Sequence, residues 1–167
     1  MQRSIPAALV VASLLSSVAC SEVPLALETT PSRVSARVTE VIDGDTLRVV
    51  TGDEELTVRL IGIDTPESDG PYTDLECYGE EATAFTTEML DDRDVELEFD
   101  VDPVDRYGRT LAYVWLGDDL VNGSILAGGA GVLLTIPPNV LYVDRLRAAQ
   151  RVARDAERGL WGACAEG

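Results

Sequence analysis

Three short segments of this chain concentrate the side chains that could do chemistry: VIDGDTL at residues 41–47, VRLIGIDTPES at 58–68 and DRYGR at 105–109. They supply three carboxylates, Asp45, Asp64 and Glu67, and two guanidinium groups, Arg59 and Arg109. Carboxylate and carbonyl oxygens suit a hard cation such as Ca²⁺ or Mg²⁺, whereas softer metals want imidazole or thiolate. Two arginines offer planar donor forks that match a phosphate. Together the five describe metal-assisted hydrolysis of a phosphodiester. The chain has no histidine, and all 13 of its basic residues are arginine. Imidazole proton relays and lysine Schiff bases are therefore excluded.

Singly, each of these residues has a plainer explanation. Asp43-Gly44-Asp45 is a common hairpin turn. Asp64-Thr65-Pro66-Glu67 says more. Pro66 keeps Thr65 out of the helical region, so the chain leaves its strand extended and offers the Asp64 side chain, the Thr65 carbonyl and Glu67 together. Arg59 lies five residues before Asp64. On one unbroken strand alternation puts the two on opposite faces, leaving Arg59 facing solvent unless the strand bends. Arg109 follows Tyr107-Gly108 and has an ion pair with Asp105 or Asp102 as its structural alternative.

These residues need a scaffold, and 167 residues with 46% hydrophobic content are enough for one packed domain. The net charge is −17. Such a balance ordinarily repels polyanions. Salt adaptation is the alternative: in molar salt the Debye length shrinks to about 3 Å, so the global field fades while short contacts survive. The absence of lysine and the hydrophobic content favour that reading over a disordered acidic chain.

Residues 1–19 read as a secretion signal, with Arg3 near the start and an apolar stretch over 5–15 too short to span a bilayer. Small residues then precede Cys20, which resembles a lipoprotein processing site, with ordinary cleavage near Ala19 as the alternative. Residues 20–32, with Pro24 and Pro31, read as a tether. The expected location is outside the cell, secreted or lipid-anchored to the membrane's outer face. Setting Cys20 aside leaves Cys77 and Cys164, whose simplest use in an exported domain is one disulfide. Two lone thiols make a poor zinc site.

From residue 33 the pattern is strand-like: Val34, Ala36, Val38 and Val41, then 46–50 after the Asp43-Gly44 turn, then 56–63 after Gly52-Asp53. Residues 80–90 form an amphipathic helix, 95–99 and 110–116 two more strands, 120–127 a short helix ended by Gly128-Gly129, and 141–158 a last helix with arginines 147, 151, 154 and 158 facing water. Three strands, a helix, two strands and two helices describe an α+β fold: a five-stranded OB-type barrel with three packed helices, a class that often binds nucleic acid.

With these motifs in order, the chain over residues 35–161 resembles the staphylococcal nuclease (thermonuclease) family. The resemblance is carried by VIDGDT at 41–46, RLIGIDTPE at 59–67, YGEEATAF at 78–85, DRYGRTLAYV at 105–114, Val121-Asn122 and the closing Gly159-Leu160-Trp161. It implies a domain over 33–164, followed by a short tail, that cuts DNA or RNA with Ca²⁺ and leaves a 3′-phosphate. Residue by residue, it implies Asp45, Asp64 and the Thr65 carbonyl as calcium ligands. Glu67 stands in the place of the general base, and Arg59 and Arg109 in the places that stabilise charge on phosphorus. Arg106 and Tyr107 match positions that contact the terminal phosphate, with arginine where lysine is usual.

The chain departs from the family in two places. Leu134 and Ile136 stand where tyrosines stack near the base, and stacking is worth about 1–3 kcal/mol per base. The loop after Glu67 has lost its basic residues, leaving Tyr72 as its one aromatic. Two rival classes compete with the enzyme: an OB-type module that binds nucleic acid or protein without cutting, and a structural calcium-binding surface protein. Degeneration would strip the metal or arginine positions, and a structural calcium site leaves the two arginines without a task. A monomer is expected.

Overall fold

The computed structural model describes residues 32–68 and 75–164. The expected signal, Cys20, the 20–31 part of the tether, Tyr72 and the last three residues lie outside these. Strands β1 (Arg33–Val41), β2 (Thr46–Thr51) and β3 (Glu54–Leu60) form an antiparallel meander. Strand β5 (Asp94–Glu98) pairs with β1, and β6 (Thr110–Leu116) with β5. The sheet closes where β6 runs parallel to β3, with Val58 opposite Thr110 and Arg59 opposite Leu111. Closure removes the free edges of the five strands, giving the OB-type barrel expected from the sequence. A two-residue strand β7 (Asp119–Leu120) folds back antiparallel on the end of β6, and β4 (Ile63–Asp64) pairs with β8 (Val132–Leu133) outside the barrel.

Alternation explains the core. Ala36 and Val38, Leu47 and Val49, Val58 and Leu60, and Val95 and Leu97 all point inward and are buried. Each such side chain stabilises the fold by roughly 1.5–3 kcal/mol on burial. Strand β6 is buried on both faces from Ala112 to Trp115, because the barrel interior lies on one side and helices cover the other. Tyr113 and Trp115 there meet Tyr142 edge-on, with ring centroids 4.8 and 5.6 Å apart.

Helices α1 (Gly79–Leu90), α2 (Val121–Gly128) and α3 (Val143–Asp155) pack around the barrel. Asn122, fully buried, accepts from the Val114 amide at 2.9 Å and donates to the Ile61 carbonyl at 2.8 Å, so it ties α2 to the end of β3. Cys77, just before α1, is joined to Cys164, just after the short helix α4 (Leu160–Ala163).

Two expectations need correction. The strand expected over 56–63 ends at Leu60, because Ile61-Gly62 makes a turn in which Gly62 has φ +81. A β-carbon at Gly62 would also run into the Leu146 side chain. The last helix spans 143–155 rather than 141–158: Glu157 takes φ +50, and the chain turns into α4, which the sequence reading did not separate.

Candidate active site

The break at Gly62 decides where Arg59 points. Because β3 stops and β4 starts afresh, the alternation that would oppose Arg59 to Asp64 is interrupted. The Arg59 guanidinium instead binds the Asp64 Oδ1 at 2.8 Å through Nη2, and through Nη1 the Asp45 Oδ2 at 2.5 Å and the Ile63 carbonyl at 3.1 Å. Its side chain is 13% exposed, so the chain does bend and the solvent-facing alternative does not hold.

Asp45 reaches the same point from the β1–β2 turn. Asp43 accepts the Asp45 amide at 3.0 Å, and Thr86 of α1 donates to the Gly44 carbonyl at 2.7 Å, so the turn is held from two sides. Gly44 abuts Thr65 so closely that a β-carbon there would lie 2.6 Å from the Thr65 Oγ1. The buried Asp45 carboxylate accepts the Thr65 amide at 2.9 Å and the Thr46 hydroxyl at 3.1 Å. Burial pushes its carboxyl up, to about 7, against the pull of Arg59 and the Thr65 amide, with Asp43 adding to the rise.

The fit to a hard cation rests on the chemistry of the donor set. Asp45 and Asp64 converge on one guanidinium, and Thr65 directly follows Asp64; every donor is oxygen. Among the described residues no three acidic or cysteine side chains converge to cage an ion by themselves. A cation here would complete its shell with water and phosphate oxygens, as hard divalent ions do in substrate-assisted sites. The residues fit.

Glu67 follows Pro66 on the same extended segment. Its proton affinity is raised by burial, then by Asp43, Glu76 and Asp64, with Arg59 opposing. Those neighbours place it within the electrostatic reach of the Asp45–Arg59–Asp64 cluster.

Arg109 comes to the site through the parallel closure, since Thr110 lies opposite Val58. Its loop is organised by Asp105, which accepts the amides of Tyr107 and Arg109 at 2.9 Å each and the Arg109 Nε at 2.7 Å. Burial alone would raise the Asp105 carboxyl, but Arg109 and these amides outweigh it and hold it below its ordinary range. Of the two partners the sequence offered, Asp105 is the one engaged and Asp102 is not. Among the described residues no carboxylate engages the terminal nitrogens of Arg109. Arg106 sits over the Tyr107 ring, 4.7 Å from its centroid.

Arg59, Arg106, Tyr107 and Arg109 share one cleft of about 540 Å³, whose far wall carries Leu134 and Ile136. Two loops frame it, and Asn139 ties them together: it accepts the Asp102 amide at 2.8 Å and donates to the Asp102 carbonyl at 2.7 Å. The sequence reading missed Asn139 and Glu76, and it had Asp105 only as a partner for Arg109 and Asp43 only as part of a hairpin turn.

The region 57–163 matches the family described as staphylococcal nuclease homologue. The chain belongs to that family. It is 41% identical over 125 residues to the thermonuclease of Staphylococcus hyicus, covering 75% of this chain and 74% of that protein. It is 42% identical over 124 residues to the thermonuclease of Staphylococcus intermedius, covering 74% of each. Endonuclease YncB of Bacillus subtilis is 35% identical over 130 residues, 77% of this chain and 62% of that protein. As a member of this family the protein is a nuclease hydrolase.

The raised Asp45 carboxyl has a stability consequence. The folded protein holds this proton up to about pH 7, whereas an unfolded aspartate releases it near pH 4. The associated stability is complete below pH 4 and is lost as pH rises through 7. A divalent cation binds the ionised form, so calcium should stabilise more at pH 8 than at pH 5. Urea midpoints at both pH values, with and without calcium, measure this. An equal calcium effect at both, or one that survives Asp45→Asn, would refute the assignment.

Proposed function

We propose that this nuclease is an exported, calcium-dependent phosphodiesterase that cuts DNA or RNA to 3′-phosphate ends, acting as a monomer. The observation that supports this reading best is the convergence of Asp45 and Asp64 on Arg59, beside Glu67 and at the edge of the cleft that holds Arg109. Asp45, Asp64 and the Thr65 carbonyl would hold the ion. When bound, calcium supplies Lewis-acid neutralisation of a phosphate oxygen.

The remaining chemistry falls to the chain's own side chains. Glu67 accepts the proton of the attacking water, and its raised proton affinity suits a general base. The open terminal nitrogens of Arg109 and the fork of Arg59 donate to the non-bridging oxygens as charge builds on phosphorus. Arg106 and Tyr107 hold a terminal phosphate at the outer end of the cleft. The bond to the 5′ oxygen breaks, so phosphate stays on the 3′ side. Leu134 and Ile136 contact the base by apolar packing without stacking, which makes base preference weak.

Export follows from the leader-like residues 1–19, with Cys20 as a candidate lipid attachment point. Among the described residues no helix is long and apolar enough to cross a membrane.

The direct test is the initial rate of DNA and RNA cleavage with calcium and with chelator, across a salt series. Cleavage should vanish in chelator, and full activity there would sink the metal assignment. Salt acts in opposite senses. Counterion release weakens phosphate contacts as salt rises, whereas screening relieves the repulsion from a net charge of −17. The rate is expected to climb from dilute buffer towards molar salt before declining. A steady fall from dilute buffer, with the protein folded throughout, would show that the acidic surface is no salt adaptation.

A further inference from the structure

Glu67 stands on an extended segment, and the question is what holds it still. One residue grips both polar edges of its backbone. The Glu76 amide donates to the Glu67 carbonyl at 3.0 Å, and the Glu67 amide donates to the Glu76 Oε2 at 3.2 Å. From a third side Gly79 presses on the same carbonyl group: a β-carbon there would lie 2.6 Å from the Glu67 carbonyl carbon. The start of α1 therefore packs directly against the peptide that carries the base.

The next residue along, Cys77, continues this grip covalently. It is bonded to Cys164, whose amide donates to the Leu160 carbonyl at 2.9 Å, and the Leu160 amide donates to the Gly129 carbonyl at 2.9 Å. From Gly129 the chain runs into β8, where Val132 pairs with Asp64. The path from Glu67 through the bridge thus returns to Asp64. Asp64, Pro66, Glu76, Cys77, Val132 and Cys164 all line the cleft of about 310 Å³ that this path borders.

We infer that Glu76 and the Cys77–Cys164 bridge are positioning elements for Glu67, holding the general base in fixed relation to Asp64. The inference rests on the assignment of Glu67 as that base. Glu76 and Cys77 are both exposed and fill no part of the core. An exposed hydrogen bond adds little to stability, and the bridge, which closes 87 residues, acts on stability mainly through the unfolded chain; the double grip on the Glu67 peptide is local and acts on the folded state. Catalysis is far more sensitive to such placement than folding is, since a displacement near 1 Å can cost about 100-fold in rate.

The experiment compares the full chain with Glu76→Ala, Glu76→Gln and the Cys77→Ser/Cys164→Ser pair, in steady-state cleavage of DNA with saturating calcium. Near-UV circular dichroism checks that each variant is folded. Glu76→Ala is expected to lower kcat about tenfold while KM stays within about twofold. Glu76→Gln keeps an oxygen that can accept the Glu67 amide and should restore most of the rate. The paired serine variant should lower kcat in the same way, and dithiothreitol should reproduce this in the unaltered protein.

An unchanged kcat in folded Glu76→Ala would overturn the inference, as would an effect confined to KM or a failure of glutamine to rescue. Should the alanine variant not fold, a kcat untouched by reduction of the bridge would overturn it equally. Absence of cleavage by the unaltered protein in calcium would instead count against the nuclease reading.

Discussion

Replacing Arg59 with alanine is expected to destabilise the calcium-free protein by about 3–5 kcal/mol at pH 8, the usual cost of breaking a buried ion pair from one side. The Arg59 and Asp45 side chains are 13% and 7% exposed, so water cannot replace the lost partner. The penalty has a ceiling set by protonation. The Asp45 carboxyl is already pushed up to about 7 by burial, and without Arg59 it rises further. At pH 5 the variant therefore carries a neutral acid and should lose much less. Calcium can stand in for the missing charge, and at a hundredfold excess over its dissociation constant it would return about 2.7 kcal/mol. Urea denaturation at the two pH values, with and without calcium, measures all of this. An equal loss at pH 5 and pH 8 would mean that the Asp45–Arg59 pair is not what the mutation breaks.

The same substitution should slow cleavage, but Arg109 gives the cleaner kinetic test because it stands outside the buried Asp45–Arg59 pair. Among the described residues its one carboxylate contact is through Nε to the half-buried Asp105 of the 105–109 loop. Arg109→Ala is expected to lower kcat about 10²–10³-fold, the loss found when a donor to a developing oxyanion is removed. Arg109→Lys should recover little. A lysine cannot bond Asp105 and present two parallel donors to phosphate at once. Single-turnover rates at saturating calcium decide the matter. A lysine variant as fast as the parent would show that a point charge suffices and that the guanidinium fork has no part in the step.

How far these features could be read from the sequence depends on the range of the interaction. The barrel strands were legible because each carries its own alternation, Ala36 and Val38 or Leu47 and Val49, and the closing pair β3–β6 follows from five strands needing to bury one face. The break at Gly62 was not read. A glycine inside an apolar run is the ordinary mark of a bulge or turn, yet the strand pattern continues through Ile63 and masks it. That single glycine reverses the apparent direction of Arg59. The Asp105–Arg109 pair was foreseeable as a contact four residues apart, whereas Asn139 and Asp102 are brought together only by the completed fold. Likewise nothing local distinguishes Glu76 from the many other acids of this chain; its relation to Glu67 exists only once α1 is seated.

The parallel pairing of β3 with β6 also sets an order of events. The β1–β3 meander consists of neighbouring strands and can form early, but closure must wait for a segment from far along the chain, and such long-range pairings are the slow part of folding. Asp45, Arg59, Asp64 and Glu67 all lie before α1, whereas Arg109 lies at the threshold of the closing strand. The part of the site built by Asp45, Arg59, Asp64 and Glu67 can therefore exist before Arg109 is delivered. A chain exported before its barrel closes would carry no complete cutting site while it shares a compartment with its own genome. Barrel closure is the moment at which the enzyme becomes dangerous to nucleic acid.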